Sequence, residues 1–155
     1  MAKLKYIVVH CSASEWGSAA AIREWHLAKG WKDIGYHFII LNGKLIPNVS
    51  NWQKELSIPL MDGNIEVGRY LDGDNFISSK ETGAHTLNYN ETSIGICLIG
   101  NKNFTEKQFY ALEMLLKSLL RIYKLDKSCI KGHYHFANKT CPNFDVDKFV
   151  KERIK

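Results

Sequence analysis

Apolar residues follow two rhythms along this chain. In KYIVV (residues 5–9) they run continuously up to His10, which predicts a buried strand of β-branched residues ending at that histidine. TSIGICLIG (92–100) predicts a second buried strand. In the segment 104–125, Phe109, Leu112, Leu115, Leu116, Leu119 and Tyr123 instead recur three and four apart. That spacing predicts a helix, and Thr105 with Gln108 three residues later forms its capping box. SAAAIREWHLAKG (18–30) predicts an earlier helix, capped by Ser18 and stopped by Gly30. FDVDKFVKERIK (144–155) predicts a short last one, with Asp145 near its start and lysines toward its end. A strand is expected from Tyr36 to Leu41, then an Asn42-Gly43 hairpin turn and a return strand. Residues 47–68, with Pro47, Trp52, Pro59 and Asp62-Gly63, read as a long irregular connection with room for one helical turn. No repeat, low-complexity tract or linker intervenes, so residues 1–155 are expected to form a single α/β domain.

Composition changes this picture little. Of 155 residues, 45% are hydrophobic and 24% charged, which suits a packed core. The net charge of +5 favours anionic partners, such as nucleic acid, anionic lipid or bacterial wall polymer, or reflects a lysine-rich solvated surface. Without a helix-turn-helix, an RNA-recognition signature or a zinc finger, no nucleic-acid partner is expected. The first apolar run, Tyr6 to Val9, is too short for the core of a secretory signal or for a membrane span. The expectation is a chain that is cytoplasmic as synthesised, with no membrane insertion. Cys11, Cys97, Cys129 and Cys141 lack the spacing of a disulfide scaffold, so reduced thiols are expected.

Candidate chemistry concentrates in HYHFANKTCPNFD (133–145), where two histidines, a lysine and a cysteine fall within nine positions. They read as zinc ligands, as a reactive thiol with its base, or as loop residues; His-x8-Cys alone does not choose. A zinc site would need a distant third ligand. His10 is the best candidate, since it ends an apolar strand where side chains emerge at a sheet's edge. Cys11 beside it should face the other way by strand alternation.

VVHCSAS, the helix ending in WH, GYHFII, GNIEVGR (63–69), GAHTLNYNETSIGICLIG and GHYHFANKTCPNFD occur here in one order. In that order the chain resembles the type 2 N-acetylmuramoyl-L-alanine amidases, a family that includes bacteriophage lysozyme-amidases and peptidoglycan-recognition proteins. The resemblance covers nearly the whole chain and is closest to the phage enzymes. It implies a mixed central sheet flanked by helices, with a zinc site at the floor of a surface groove. It also implies a partner, bacterial peptidoglycan and its muramyl peptides, and a monomer. The family's zinc ligands fall on His10, His133 and Cys141, which selects His133 over His135. Its catalytic tyrosine matches Tyr36, and the phage enzymes' catalytic lysine matches Lys139. His85 and Asn90 match a groove-lining segment, where they would bind substrate or hold the loop.

These implied roles make chemical sense. Zinc held by two imidazoles and a thiolate can acidify water to a pKa of roughly 7 and polarise a carbonyl. A lysine nearby can meet an oxyanion, and a tyrosine can hydrogen-bond the reacting atoms. The implied reaction is hydrolysis of the amide joining N-acetylmuramic acid to L-alanine, as in an endolysin. Some peptidoglycan-recognition proteins keep the groove but lack the cysteine and catalysis, so a binding module is the alternative. Elsewhere, His37 reads as structural, His26 as packed or half-exposed, and Cys97 as a small core hydrophobe. Residues 42–62 lengthen one connection beyond the compact family pattern.

Overall fold

In the computed structural model, which describes residues 1–46 and 58–155, the two apolar runs become the central strands of one sheet. The strands are β1 (Ala2–Lys3), β2 (Tyr6–Cys11), β3 (Phe38–Ile40), β4 (Ile65–Val67), β5 (Phe76–Ile77), β6 (Ser93–Leu98) and β7 (Ile130–Gly132). The helices are α1 (Ala19–Ala28), α2 (Glu106–Tyr123) and α3 (Val146–Arg153). The main sheet has the order β4-β3-β6-β2-β7; β2, β3, β6 and β7 run parallel and β4 is antiparallel. β1 and β5 pair separately. This is the mixed sheet flanked by helices that the motifs implied.

The central strands are apolar throughout because both sheet faces are covered. Ile7, Val9, Ile94 and Ile96 pack with Leu112, Leu116, Leu119 and Phe149 of α2 and α3. Ile39, Cys97 and Ile99 pack with Ala19 and Ile22 of α1 on the other face. By register, His10 lies opposite Cys97 and so shares the α1 side.

The helix ends follow local chemistry. The Ser18 hydroxyl accepts from the Ala21 amide, Glu66 accepts from the Ala19 amide, and Gly30 takes φ 89° after the last turn. Thr105 and Gln108 form both halves of the capping box on α2. Gln108 also donates to the Ile40 and Ile99 carbonyls, tying the helix to the ends of β3 and β6.

One expectation fails. Residues 44–46 do not return as a strand after Asn42-Gly43. Asn42 accepts from the Lys44 amide in a local turn, and the Lys44 carbonyl bonds the Gly17 amide. The antiparallel partner of β3 is β4, with Ile40 opposite Ile65. Leu41 already bonds Asn64 and Gly63 through both of its backbone groups, which leaves no ladder position for residues 44–46. The long connection therefore lies between paired strands. Its middle, 47–57, including Pro47 and Trp52, lies outside the described residues.

Candidate metal centre

β2 and β7 are parallel, with Val9 opposite Gly132, so the next residues in register are His10 and His133. Both emerge at the carboxyl ends of adjacent strands, and their ring centroids are 4.6 Å apart. β7 gives way there to a single turn of 3-10 helix, His133–His135. The loop that follows is closed by the Tyr134 amide donating to the Cys141 carbonyl. The Cys11 amide donates to Cys141 Sγ at 3.3 Å, and Cys141 Sγ lies 3.9 Å from His10 Nδ1. Donor atoms of His10, His133 and Cys141 all lie within 4.8 Å of one another. Zn–N near 2.0 Å and Zn–S near 2.3 Å put tetrahedral ligands roughly 3.5 Å apart. The three residues fit such an ion after a small contraction. His135 points elsewhere: its Nδ1 accepts from the Gly132 amide and its Nε2 meets Asp147 at 3.0 Å.

The electrostatics suit a cation. Burial first, then His85, His133 and Lys139, hold His10 well below the ordinary histidine range. Burial and Lys139 lower His133 in the same sense. Both imidazoles are therefore neutral, with lone pairs to offer. Contact with the Cys11 thiol and then burial raise the Cys141 thiol. A divalent cation reverses that preference, because a coordinating thiol gives up its proton.

Tyr36 lies beside this group, its ring 5.2 Å from that of His10. Burial and the nearby cysteines raise its phenol well above 10, so it stays protonated, with a proton to donate. It is placed by Gly35, whose amide donates to His26 Nδ1 and whose carbonyl accepts from the Ala84 amide. A Cβ at position 35 would stand 2.1 Å from the Ala84 oxygen, so only glycine fits. Lys139 is exposed on the 134–141 loop, close enough to lower both histidines. It also borders an open cavity of about 850 Å³ lined by Lys102, Tyr134, Asn143 and Phe144.

Of the two roles expected for His85 and Asn90, the structure shows the hold on the loop. His85 is 9% exposed and sits behind His10, with Nδ1 2.9 Å from His10 Nε2. Asn90 Oδ1 accepts from the His85 and Thr86 amides, each at 2.8 Å, and so clamps the loop. Asn90 thus holds the loop through its carbonyl oxygen, and His85 is buried against a candidate metal ligand.

β3 begins at Phe38, later than the Tyr36 start expected, and the rings of Tyr36 and His37 both lie within 6.5 Å of that of His85. His37 is structural, as expected: Nε2 meets the Glu81 carbonyl at 2.6 Å and Nδ1 accepts from the Gly95 amide. Cys11 stays outside the donor group yet lies against Cys141, because β2 ends there and the 139–143 loop folds over it. Sequence reasoning also passed over Thr86, Ser93 and Gly95, which surround His85. The one signal was a glycine in the middle of an apolar strand.

Fold and site together define a class: single-domain α/β proteins with a candidate mononuclear metal centre at the carboxyl edge of a mixed sheet. Comparison with known proteins narrows it. The family described as N-acetylmuramoyl-L-alanine amidase matches residues 1–144, and the chain belongs to that family. It is 35% identical over 154 residues to an endolysin of Enterobacteria phage K11, covering 92% of this chain and 83% of that protein. It is 30% identical over 156 residues to peptidoglycan-recognition protein SC2 of Drosophila melanogaster, covering 92% of this chain and 70% of that protein. Among solved structures, the N-acetylmuramoyl-L-alanine amidase LysC from Clostridium intestinale shares the fold. Its TM-score is 0.73 at 24% identity, over 97% of this chain and 85% of that one.

Proposed function

We propose that this protein is a zinc-dependent amidase of bacterial peptidoglycan, acting as an endolysin on the bond between N-acetylmuramic acid and L-alanine. The observation that carries the reading is the convergence of His10, His133 and Cys141 donors within 4.8 Å, beside the Tyr36 ring. When bound, zinc supplies Lewis acidity that polarises the amide carbonyl and acidifies water. His10 and His133, kept neutral by burial, hold it through lone pairs, and Cys141 does so as a thiolate. Lys139 brings a positive charge to the oxygen on which negative charge develops. Tyr36, kept protonated, donates a hydrogen bond to the reacting group. Endolysins among the relatives support the substrate class.

Similarity to a peptidoglycan-recognition protein favours a second reading, a binding module without catalysis. Mass spectrometry of digested peptidoglycan, with and without chelator, separates the two. The amidase releases stem peptides with free L-alanine amino termini, leaves glycan strands intact and stops when chelated. Binding without new termini refutes it, and new reducing sugar ends mean a glycosidase. Unchanged zinc content in Cys141→Ser would refute the ligand assignment.

A further inference from the structure

We propose that His85 is a positioning residue: it accepts a hydrogen bond from His10 Nε2 and so locks His10 in the tautomer whose Nδ1 lone pair is free for the metal. The inference rests on the zinc reading above, and a hydrogen-bond chain running from the Tyr89 carbonyl through Ser93 and His85 to His10 carries it. Ser93 Oγ is 2.7 Å from the Tyr89 carbonyl, which can only accept, so the serine hydroxyl donates there. Its oxygen is then left to accept from His85 Nε2 at 3.3 Å. A neutral His85 with its proton on Nε2 presents a bare lone pair at Nδ1. That nitrogen is 2.9 Å from His10 Nε2 and 2.9 Å from Thr86 Oγ1. Two lone pairs cannot face each other at this distance, so His10 Nε2 carries the proton. Its other nitrogen, Nδ1, is the one that faces Cys141 Sγ.

The surroundings are built to hold this imidazole. Asn90 Oδ1 bonds the amides of both His85 and Thr86, which fixes the backbone at the ring's base. On the sheet, Gly95 leaves a hole under the ring; a Cβ there would come within 2.6 Å of His85 Cγ. Yet His85 lies outside the group of converging donors. Metal-ligating histidines usually have their other nitrogen fixed by a carboxylate, a carbonyl or water. Here a second neutral imidazole does it, and the chain ends on a peptide carbonyl. Orientation and tautomer are set without adding a negative charge.

The test measures the histidine tautomers and the zinc affinity of the full chain. Long-range 1H–15N spectra of the metal-free protein at neutral pH should show His10 protonated at Nε2 and bare at Nδ1; protonation at Nδ1 overturns the proposal. His85→Leu, which cannot accept, should mix the His10 tautomers and weaken zinc binding about 10- to 100-fold in a chelator competition. His85→Asn, whose Oδ1 can accept near the place of Nδ1, should recover affinity to within a few-fold. Equal zinc affinity in wild type and His85→Leu overturns the proposal. Should His85→Leu fail to fold, the wild-type tautomer decides alone. Both readouts are independent of hydrolysis: zinc binding without released L-alanine termini sinks the amidase reading and leaves this one standing. Hydrolysis by a protein with His10 protonated at Nδ1 does the reverse.

Discussion

His37 makes the protein acid-labile by an amount that can be worked out. It is fully buried, and its Nδ1 accepts from the Gly95 amide at 3.0 Å while Nε2 meets the Glu81 carbonyl. A second ring proton would face Gly95 N–H head on. Burial lowers this histidine to about 4, helped by Arg69 and opposed by the Glu81 carbonyl and carboxylate. The unfolded chain binds the proton near pH 6.5, so between pH 6.5 and 4 the unfolded state takes up a proton that the folded state refuses. Stability is full above pH 6.5 and falls by about 1.4 kcal/mol per unit on the way down. It levels below pH 4, for a total of about 3 kcal/mol. His26, lowered to about 4, shifts in the same direction. Comparison with His37→Gln, which keeps a donor for the Glu81 carbonyl, isolates the His37 share. Urea unfolding from pH 7 to 4, in chelator so that metal release does not enter, should show wild type losing about 3 kcal/mol more than the variant. Parallel pH profiles, or a His37 ring resonance titrating near 6.5, would refute the reasoning.

Lys139→Ala and Tyr36→Phe should each keep zinc and fold normally while turnover falls about 100- to 1,000-fold, the usual loss for one oxyanion donor; zinc-replete Lys139→Ala with near wild-type turnover would make it a solvated loop lysine. Chelation should abolish release of L-alanine termini, and added zinc should restore it, read by amine labelling of the digest. Gln108→Leu removes the donor shared by the Ile40 and Ile99 carbonyls and half of the capping box on α2. It should cost about 2–4 kcal/mol in denaturant unfolding; a loss under 1 kcal/mol would mean that water replaces those bonds.

Periodicity and turn chemistry sufficed for what is local. β2 and β6 are legible because strands covered on both faces must be apolar throughout. α2 is legible because its stripe, Leu112 to Tyr123, and its Thr105–Gln108 cap each answer to neighbours within a few residues. Ordered motifs carried the family, and with it the expectation that His10, His133 and Cys141 belong together. Tertiary structure decided the rest. It brought β4 rather than residues 44–46 to the edge of β3, since the ladder positions of Leu41 were filled from residues 63–64. It turned His135 toward Asp147 and left His133 in register beside His10. It placed His85 behind His10, over the gap at Gly95, where sequence had left substrate binding and loop holding equally open. Each of these depends on which residues meet through space, across separations that run from 12 positions for His135 and Asp147 to 131 for His10 and Cys141. A hydrophobic pattern records which face of an element is buried, but the partner on that face is chosen by strand register and packing.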